Sequence, residues 1–527
     1  MPDPALPLDP EAAYRACSGR EARWDGRFFL AVLSTGVYCR PSCPARTPKP
    51  ENCRFLPTAA ACVAAGFRAC RRCRPDALPG LRDRDGAEDL AARALRRIRD
   101  GAVDELGVAG LADSLHVSER QLRRAVLAAA GTTPGRLAAH RRAAAARQLI
   151  EQTRLPLSEV AFAAGFGSLR RFNEAMRAEF GAAPSALPRP GEPVAQPVRP
   201  GTGRPRLALR LRYRPPLDAD GLRRFLRNHA VPGLERADED GAGHERVLRV
   251  PGGHALARIR WPREGEPART ESAVAVRLEL PELSDLMPAI AAVRRMLDLD
   301  ADPGPVTGLL AADPLLGPLA AARPGVRIPG AADPAETALM TVLGQQVSVA
   351  AARTVQGRAV AAYGGRAEGL DGSWRSAPQA AAILADGVAG VRERLRIDGN
   401  RATALVALAG ALAAGLRLDA GADRRRARAR LLELPRIGPW TAELIALRCL
   451  GDPDAFPAGD LVLRRTLGRL AGSVPSRRRA QELAEAWRPW RGYAAVHLWT
   501  EPSASTTRST PAVRRRPPVD RTEGYHA

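Results

Sequence analysis

The stretch Leu434-Pro435-Arg436-Ile437-Gly438-Pro439-Trp440-Thr441-Ala442 decides how the second half of this chain is read. A helix-forming run ends at Leu434, a turn passes through Pro435 and Gly438, and Pro439 opens a new helix, where its fixed φ suits an early position. The amides at that helix start lack intrahelical partners and make a cradle for a phosphate. Further on stands Asp460, within Phe456-Pro457-Ala458-Gly459-Asp460-Leu461. Upstream lies Leu343-Gly344-Gln345-Gln346-Val347-Ser348-Val349-Ala350, and downstream Trp487-Arg488-Pro489-Trp490-Arg491-Gly492-Tyr493-Ala494. The periodicity from about Pro303 to Trp499 is helical throughout.

Outward from this core, toward the N-terminus, the pattern changes. Leu207, Leu209, Leu211 and Tyr213 alternate with Ala208, Arg210 and Arg212, and similar alternation returns at Leu256 to Trp261 and at Val274 to Leu280. These predict strands, and Gly221 to His229 and Leu283 to Leu297 predict helices, together a small α+β unit. Residues 188–205 are rich in proline, glycine and arginine, the composition of a semi-extended linker. From Ala87 to about Leu187 the pattern is helical, with two helix-turn-helix candidates. The first runs from Val108 to Ser118 into Glu119 to Ala129, with Ser118 as N-cap and Leu122 and Val126 one turn apart. The second runs from Leu157 to Ser168 into Leu169 to Phe180, with Gly165 supplying the tight turn. Arg120, Arg123, Arg170 and Arg171 lie on the second helices, where they either meet phosphates and base edges or stay solvated.

Nearest the N-terminus, Cys39 and Cys43 precede Cys70 and Cys73, among Arg46, Arg68, Arg71, Arg72 and Arg74. Paired thiolates at these spacings suit one tetrahedral Zn²⁺ with four sulfur ligands. Such a knuckle is either structural or reactive, because a metal-bound thiolate remains a nucleophile. The other cysteines, Cys17, Cys53, Cys62 and Cys449, show no pairing logic, which suits a reducing cytosol.

At 527 residues the chain exceeds one core, and about three or four domains are expected. A net charge of +23 argues for a polyanionic partner, nucleic acid first. No stretch approaches the roughly 20 apolar residues that span a bilayer, and Met1 to Pro10 has no basic start. The expected location is the cytoplasm, at the nucleoid, with no membrane partner.

Three resemblances sharpen these readings. Thr35-Gly36-Val37-Tyr38-Cys39-Arg40-Pro41-Ser42-Cys43 with Ala65 to Asp76 resembles the N-terminal domain of the Ada family. That resemblance implies that Cys39 accepts a methyl group from a DNA methylphosphotriester. Val160-Ala161-Phe162-Ala163-Ala164-Gly165-Phe166, with Arg171-Phe172 and Phe180-Gly181, resembles AraC-type DNA-binding domains, whose order after the zinc module fits. The segment 206–500 is similar to AlkA-type 3-methyladenine DNA glycosylases of the helix-hairpin-helix superfamily. There the resemblance implies that Asp460 is catalytic and that Trp440, Trp499 and Phe225 line an aromatic substrate pocket. Gln345 and Gln346 are expected at the gap left by a flipped base, or else are simple helix polarity. Gly438 and Thr441 are expected at the DNA backbone, and a monovalent cation on the hairpin carbonyls is a further implication.

The expected architecture is multidomain, α+β and mainly α. It comprises a zinc domain at 1–80, a tandem helix-turn-helix domain at 86–187, the linker, an α+β subdomain at 206–300, an all-α glycosylase domain at 301–500 and a disordered tail at 501–527. Some relatives cut the strand with an amine nucleophile, but the chain's single lysine is Lys49, so a monofunctional glycosylase is expected. The sequence also departs from its families. Arg436 replaces a hairpin glycine, Leu444 stands where a pocket tyrosine is usual, the pattern fails after Trp499, and no Pro-Cys-His-Arg methyltransferase tetrapeptide is present. The partners implied are alkylated duplex DNA, promoter DNA and RNA polymerase. The competing reading is a methylation-responsive regulator whose glycosylase domain only grips DNA.

Overall fold

The structure is a computed structural model that describes residues 8–21, 24–77, 90–189, 203–238, 242–261, 272–419 and 421–500. Most of the linker 188–205 and all of the tail 501–527 lie outside the described residues.

Near the N-terminus, four strands form a sheet: β1 (Phe29–Val32), β2 (Val37–Cys39), β3 (Cys53–Leu56) and β4 (Arg68–Ala69), in the order β3-β1-β2-β4. β2 and β4 run parallel with Tyr38 opposite Ala69. That register delivers Cys39 and Cys70, the next residues of each strand, to the same edge. The zinc-type quartet is therefore assembled by one strand pairing between distant segments.

Both helix-turn-helix units form. The first joins Ala102–Ser114, interrupted at Gly107, to Glu119–Ala130. Ser118 caps the second helix in a reciprocal capping box with Gln121, which satisfies orphan donors at the helix start. In the second unit, Leu157–Ala163 leads to Leu169–Phe180, whose N-cap Ser168 accepts from Arg171 N–H. Gly165 turns the chain between them at φ +89°, a conformation that favours glycine. The long helix Pro134–Gln152 connects the two units.

The second sheet holds β5 (Arg206–Arg212), β6 (Glu235–Ala237), β7 (Gly243–Val250), β8 (Gly253–Arg260) and β9 (Ala273–Glu279), all antiparallel, in the order β5-β9-β8-β7-β6. β5 and β9 alternate buried and exposed residues, as their sequences predict. β7 is buried almost without interruption, which erases the alternation and hides it from a period-two reading.

The remaining helices bury one large core around Pro334–Leu343, every residue of which from Glu336 onward is buried. The hairpin helices are Arg424–Glu433 and Pro439–Arg448. A second core joins Tyr38 of the zinc-type module, Val160 and Phe172 of the second helix-turn-helix and Leu209 of β5. The modules therefore pack on one another.

Candidate active site and DNA-facing surfaces

Asp460 is the N-cap of the helix Leu461–Ala471, and its half-buried carboxylate accepts three N–H groups. Trp440 Nε1 donates to Oδ2 at 2.9 Å. Trp499 Nε1 donates to Oδ1 at 3.1 Å, and Leu463 N–H donates to the same oxygen at 3.0 Å. The sequence separates these residues widely, and the fold sets both indole rings edge-on against one carboxylate. Leu461 and Val462 beside it are exposed apolar residues. Such a carboxylate, fixed in direction by two indole N–H groups and bordered by exposed apolar side chains, can stabilise positive charge developing on a sugar.

Phe225 stands apart from this cluster. It stacks on His229, ring centroids 4.0 Å apart, and the Arg448 guanidinium lies 5.3 Å from its centroid. Arg448 ends the helix that Pro439 begins and that carries Trp440 in its first turn. Leu444, between them on that helix, is half-buried.

The four glycosylase-domain residues expected at DNA separate into two pairs. Gly438 is exposed at the N-cap of Pro439–Arg448, and Gln346 is exposed at the loop before Val349–Tyr363. Gln345 and Thr441 are buried and hydrogen-bonded to each other. The Gln345 amide is already spent on the protein, so of the two glutamines only Gln346 leaves its side chain exposed. Arg436 is exposed at the hairpin with φ +63°, left-handed backbone that usually falls to glycine.

The Sγ atoms of Cys39, Cys43, Cys70 and Cys73 lie within 4.8 Å of one another. Four sulfurs around Zn²⁺ at about 2.3 Å would sit roughly 3.8 Å apart, so small adjustments admit the ion. The thiols already share charge: a hydrogen bond between Cys39 and Cys73 pushes Cys39 up and holds Cys73 down. Crowded sulfurs competing for protons are a donor set that a divalent cation satisfies. Above them opens a cleft of about 590 Å³ lined by Cys39, Arg40, Arg46, Lys49 and Asn52.

Arg120, Arg123, Arg170 and Arg171 are all exposed on the second helices of the two units. Arg123 pairs with Glu119 and Arg170 with Glu174, each one turn away at 2.9 Å. Exposed pairs of this kind are weak, about 0.3–0.5 kcal/mol, and readily exchange the carboxylate for a phosphate.

Residues 12–76 match the family described as the metal binding domain of Ada, residues 111–189 a helix-turn-helix domain family, and residues 208–333 the AlkA N-terminal domain. A Mycobacterium tuberculosis protein named "Probable bifunctional transcriptional activator/DNA repair enzyme AlkA" is 46% identical over 494 residues, which are 93% of this chain and 96% of that protein. This chain belongs to that bifunctional AlkA family. The Escherichia coli "DNA-3-methyladenine glycosylase 2" is 35% identical over 211 residues, 40% of this chain and 70% of that protein. The structure of a 3-methyladenine DNA-glycosylase from Archaeoglobus fulgidus aligns over 55% of this chain and 96% of its own, at 22% identity and a TM-score of 0.46.

Two polar clusters of this AlkA family member carry no sequence signal. Tyr38, wholly buried beside Cys39, donates to Glu179 Oε1 at 3.1 Å, and His140 Nδ1 lies 2.9 Å from the same oxygen. These three residues link the zinc-type sheet, the helix Pro134–Gln152 and the second recognition helix. Asp25 accepts from Ser42 N–H and Oγ at 2.9 and 2.5 Å, inside the Cys39–Cys43 loop. Its own carbonyl accepts from Arg214 Nη1 at 2.6 Å, which reaches across to the α+β unit.

Proposed function

We propose that this chain repairs alkylated DNA by two chemistries and couples that repair to transcription. The first is N-glycosidic hydrolysis by a monofunctional glycosylase acting on alkylated purines such as 3-methyladenine and 7-methylguanine. The second is single-turnover methyl transfer from a methylphosphotriester to Cys39. The observation that carries the reading is the Asp460 carboxylate held between Trp440 and Trp499.

An N-alkylated purine is cationic, so its glycosidic bond is weak and an electron-rich ring attracts it, by about 0.5–2 kcal/mol per good contact. The damaged base must leave the duplex to reach the indoles. As the C1′–N bond breaks, its electron pair departs with the purine and positive charge grows on the sugar. Asp460 stabilises that charge, and water adds to C1′ and gives up a proton, leaving an abasic site. Lys49, the single lysine, lines the cleft at the cysteine quartet, so no lysine serves a Schiff base at Asp460.

At the other centre, Cys39 Sγ attacks the methyl carbon, and the C–O electrons return to the phosphate oxygen. The products are a thioether and an ordinary phosphodiester. Zn²⁺ held by Cys39, Cys43, Cys70 and Cys73 would keep these sulfurs deprotonated. Arg46 and Lys49 on the cleft would hold the DNA backbone. Thioether formation removes one negative charge facing DNA, which favours promoter binding by the helix-turn-helix pair and recruitment of RNA polymerase at the nucleoid.

Base release from N-methylated duplex DNA tests the glycosylase reading. The wild-type chain is expected to release 3-methyladenine, and Asp460→Asn to lose at least about 100-fold of that rate. No release by the wild type would leave a regulator whose C-terminal half only grips DNA. Full release by Asp460→Asn would remove Asp460 from the chemistry.

A further inference from the structure

Gln345, only 8% exposed, follows the helix Pro334–Leu343, and its side-chain amide reaches across to the hairpin. Nε2 donates to Thr441 Oγ1 at 2.8 Å and to the Arg436 carbonyl at 3.3 Å. One NH₂ group thereby uses both of its protons, on two acceptors that flank the phosphate-facing turn. Thr441 is itself 2% exposed, so this bond is shielded from water and from DNA alike.

The residues on either side of this amide share an unusual property. Gln346 at φ +57° and Arg436 at φ +63° are both exposed non-glycine residues in the left-handed region. Such conformations persist where the surroundings hold them, and they gather at sites that clamp ligands. Ninety-one positions separate Gln345 from Arg436, so nothing but the side-chain bond and the packing around it sets one tip against the other.

We propose that Gln345 is a positioning residue that locks the Gln346 tip to the hairpin. The residue facing the gap left by a flipped base and the amides gripping the backbone then form one rigid edge. Opening the stack under Gln346 is thereby coupled to the hold on the strand, and little of that grip is lost to relative motion. The inference rests on the glycosylase reading and deepens it.

The test uses the full chain and a duplex carrying one non-excisable 3-deaza-3-methyladenine beside a 2-aminopurine reporter, whose fluorescence rises when the stack opens. Gln345→Met keeps length and loses both donors, and Thr441→Val keeps shape and loses the hydroxyl. Each is expected to lower the flipped fraction about tenfold at saturating protein, with Tm within a few degrees of wild type. The double variant should do no worse than either single, and Thr441→Ser, which keeps the hydroxyl, should restore flipping. Losses that multiply in the double variant, or wild-type flipping in both singles, would overturn the proposal. Excision of 3-methyladenine, read in parallel, separates the two ideas: a wild type that flips but releases no base sinks the glycosylase reading and leaves the strut standing. A wild type that does neither overturns both.

Discussion

Arg436 holds a left-handed backbone at φ +63° with an exposed side chain. A β-carbon there costs roughly 1 kcal/mol relative to glycine. The residue is exposed on the hairpin turn, and if that turn meets a phosphate as proposed, its guanidinium supplies a backbone contact that no glycine can. Arg436→Gly is therefore expected to move two quantities in opposite directions. Urea unfolding should shift toward greater stability by up to about 1 kcal/mol. The slope of log affinity against log salt should fall by about 0.9, the loss of one phosphate contact. An unchanged salt slope would mean that the guanidinium never meets DNA. The family resemblance makes Arg436 legible as a departure from a glycine position and Asp460 legible as the catalytic candidate. It does not say that Asp460 is the shared acceptor of two indoles, because that needs Trp499 brought back from the last described helix.

Among the elements, the recognition helix Leu169–Phe180 shows what local sequence can and cannot specify. Its start is legible in Ser168 and its turn in Gly165, because capping and left-handed turns are local chemistry. Its end is legible too, in Gly181 at φ +66°, but where that end docks is set by Glu179, 2% exposed, shared between the Tyr38 hydroxyl and His140. Those partners lie 141 and 39 positions away, beyond any periodicity. Removing the carboxylate by Glu179→Ala strands a buried hydroxyl and a ring nitrogen, and should cost about 2–4 kcal/mol in urea unfolding. Tyr38→Phe deletes one bond without leaving a charge alone and should cost about 1 kcal/mol. Equal costs for the two variants would contradict the shared-acceptor geometry. The same limit hid β7, whose burial, broken only at Glu245 and Arg249, carries no regular alternation to read.

At the scale of the molecule, a linker's composition predicts separable modules, whereas the packing makes a continuous body. Gln152 joins the helix Pro134–Gln152 to the edge strand β5, its Oε1 accepting from Arg210 N–H at 2.8 Å and its Nε2 donating to the Arg210 carbonyl at 3.2 Å. Arg97 meets Asp419 at 3.5 Å on the glycosylase side. Proline and glycine in the linker say how far the chain reaches and nothing of what it reaches. Acid stability follows from what this body buries. His229, His244 and His497 are held neutral by burial, each pushed down to about 4, with Arg448 and Arg353 adding to the effect at His229 and Arg323 at His497. An unfolded imidazole titrates near 6.5, so below that value the unfolded chain binds protons that the native one refuses. The stability these residues contribute is complete above about pH 6.5 and lost as pH falls toward 4, by roughly 2 kcal/mol each at pH 5. His140 works with the opposite sign: burial pulls it down, but the Glu179 carboxylate outweighs that and raises it, so its contribution is present in acid and lost above its raised value. His254 is lowered by burial as well, so four lowered histidines against one raised leave a net acid loss, measurable as a falling urea midpoint between pH 7 and 5. Neither ring nitrogen of His244 has a hydrogen-bond partner among the described residues, so His244→Leu removes the proton linkage without orphaning a neighbour. The slope of unfolding free energy against pH in that variant should drop by about 1.2 kcal/mol per pH unit between pH 5 and 6, most of one proton's worth. A slope equal to wild type would mean that His244 is already charged in the native state and that its pocket is wetter than this packing allows.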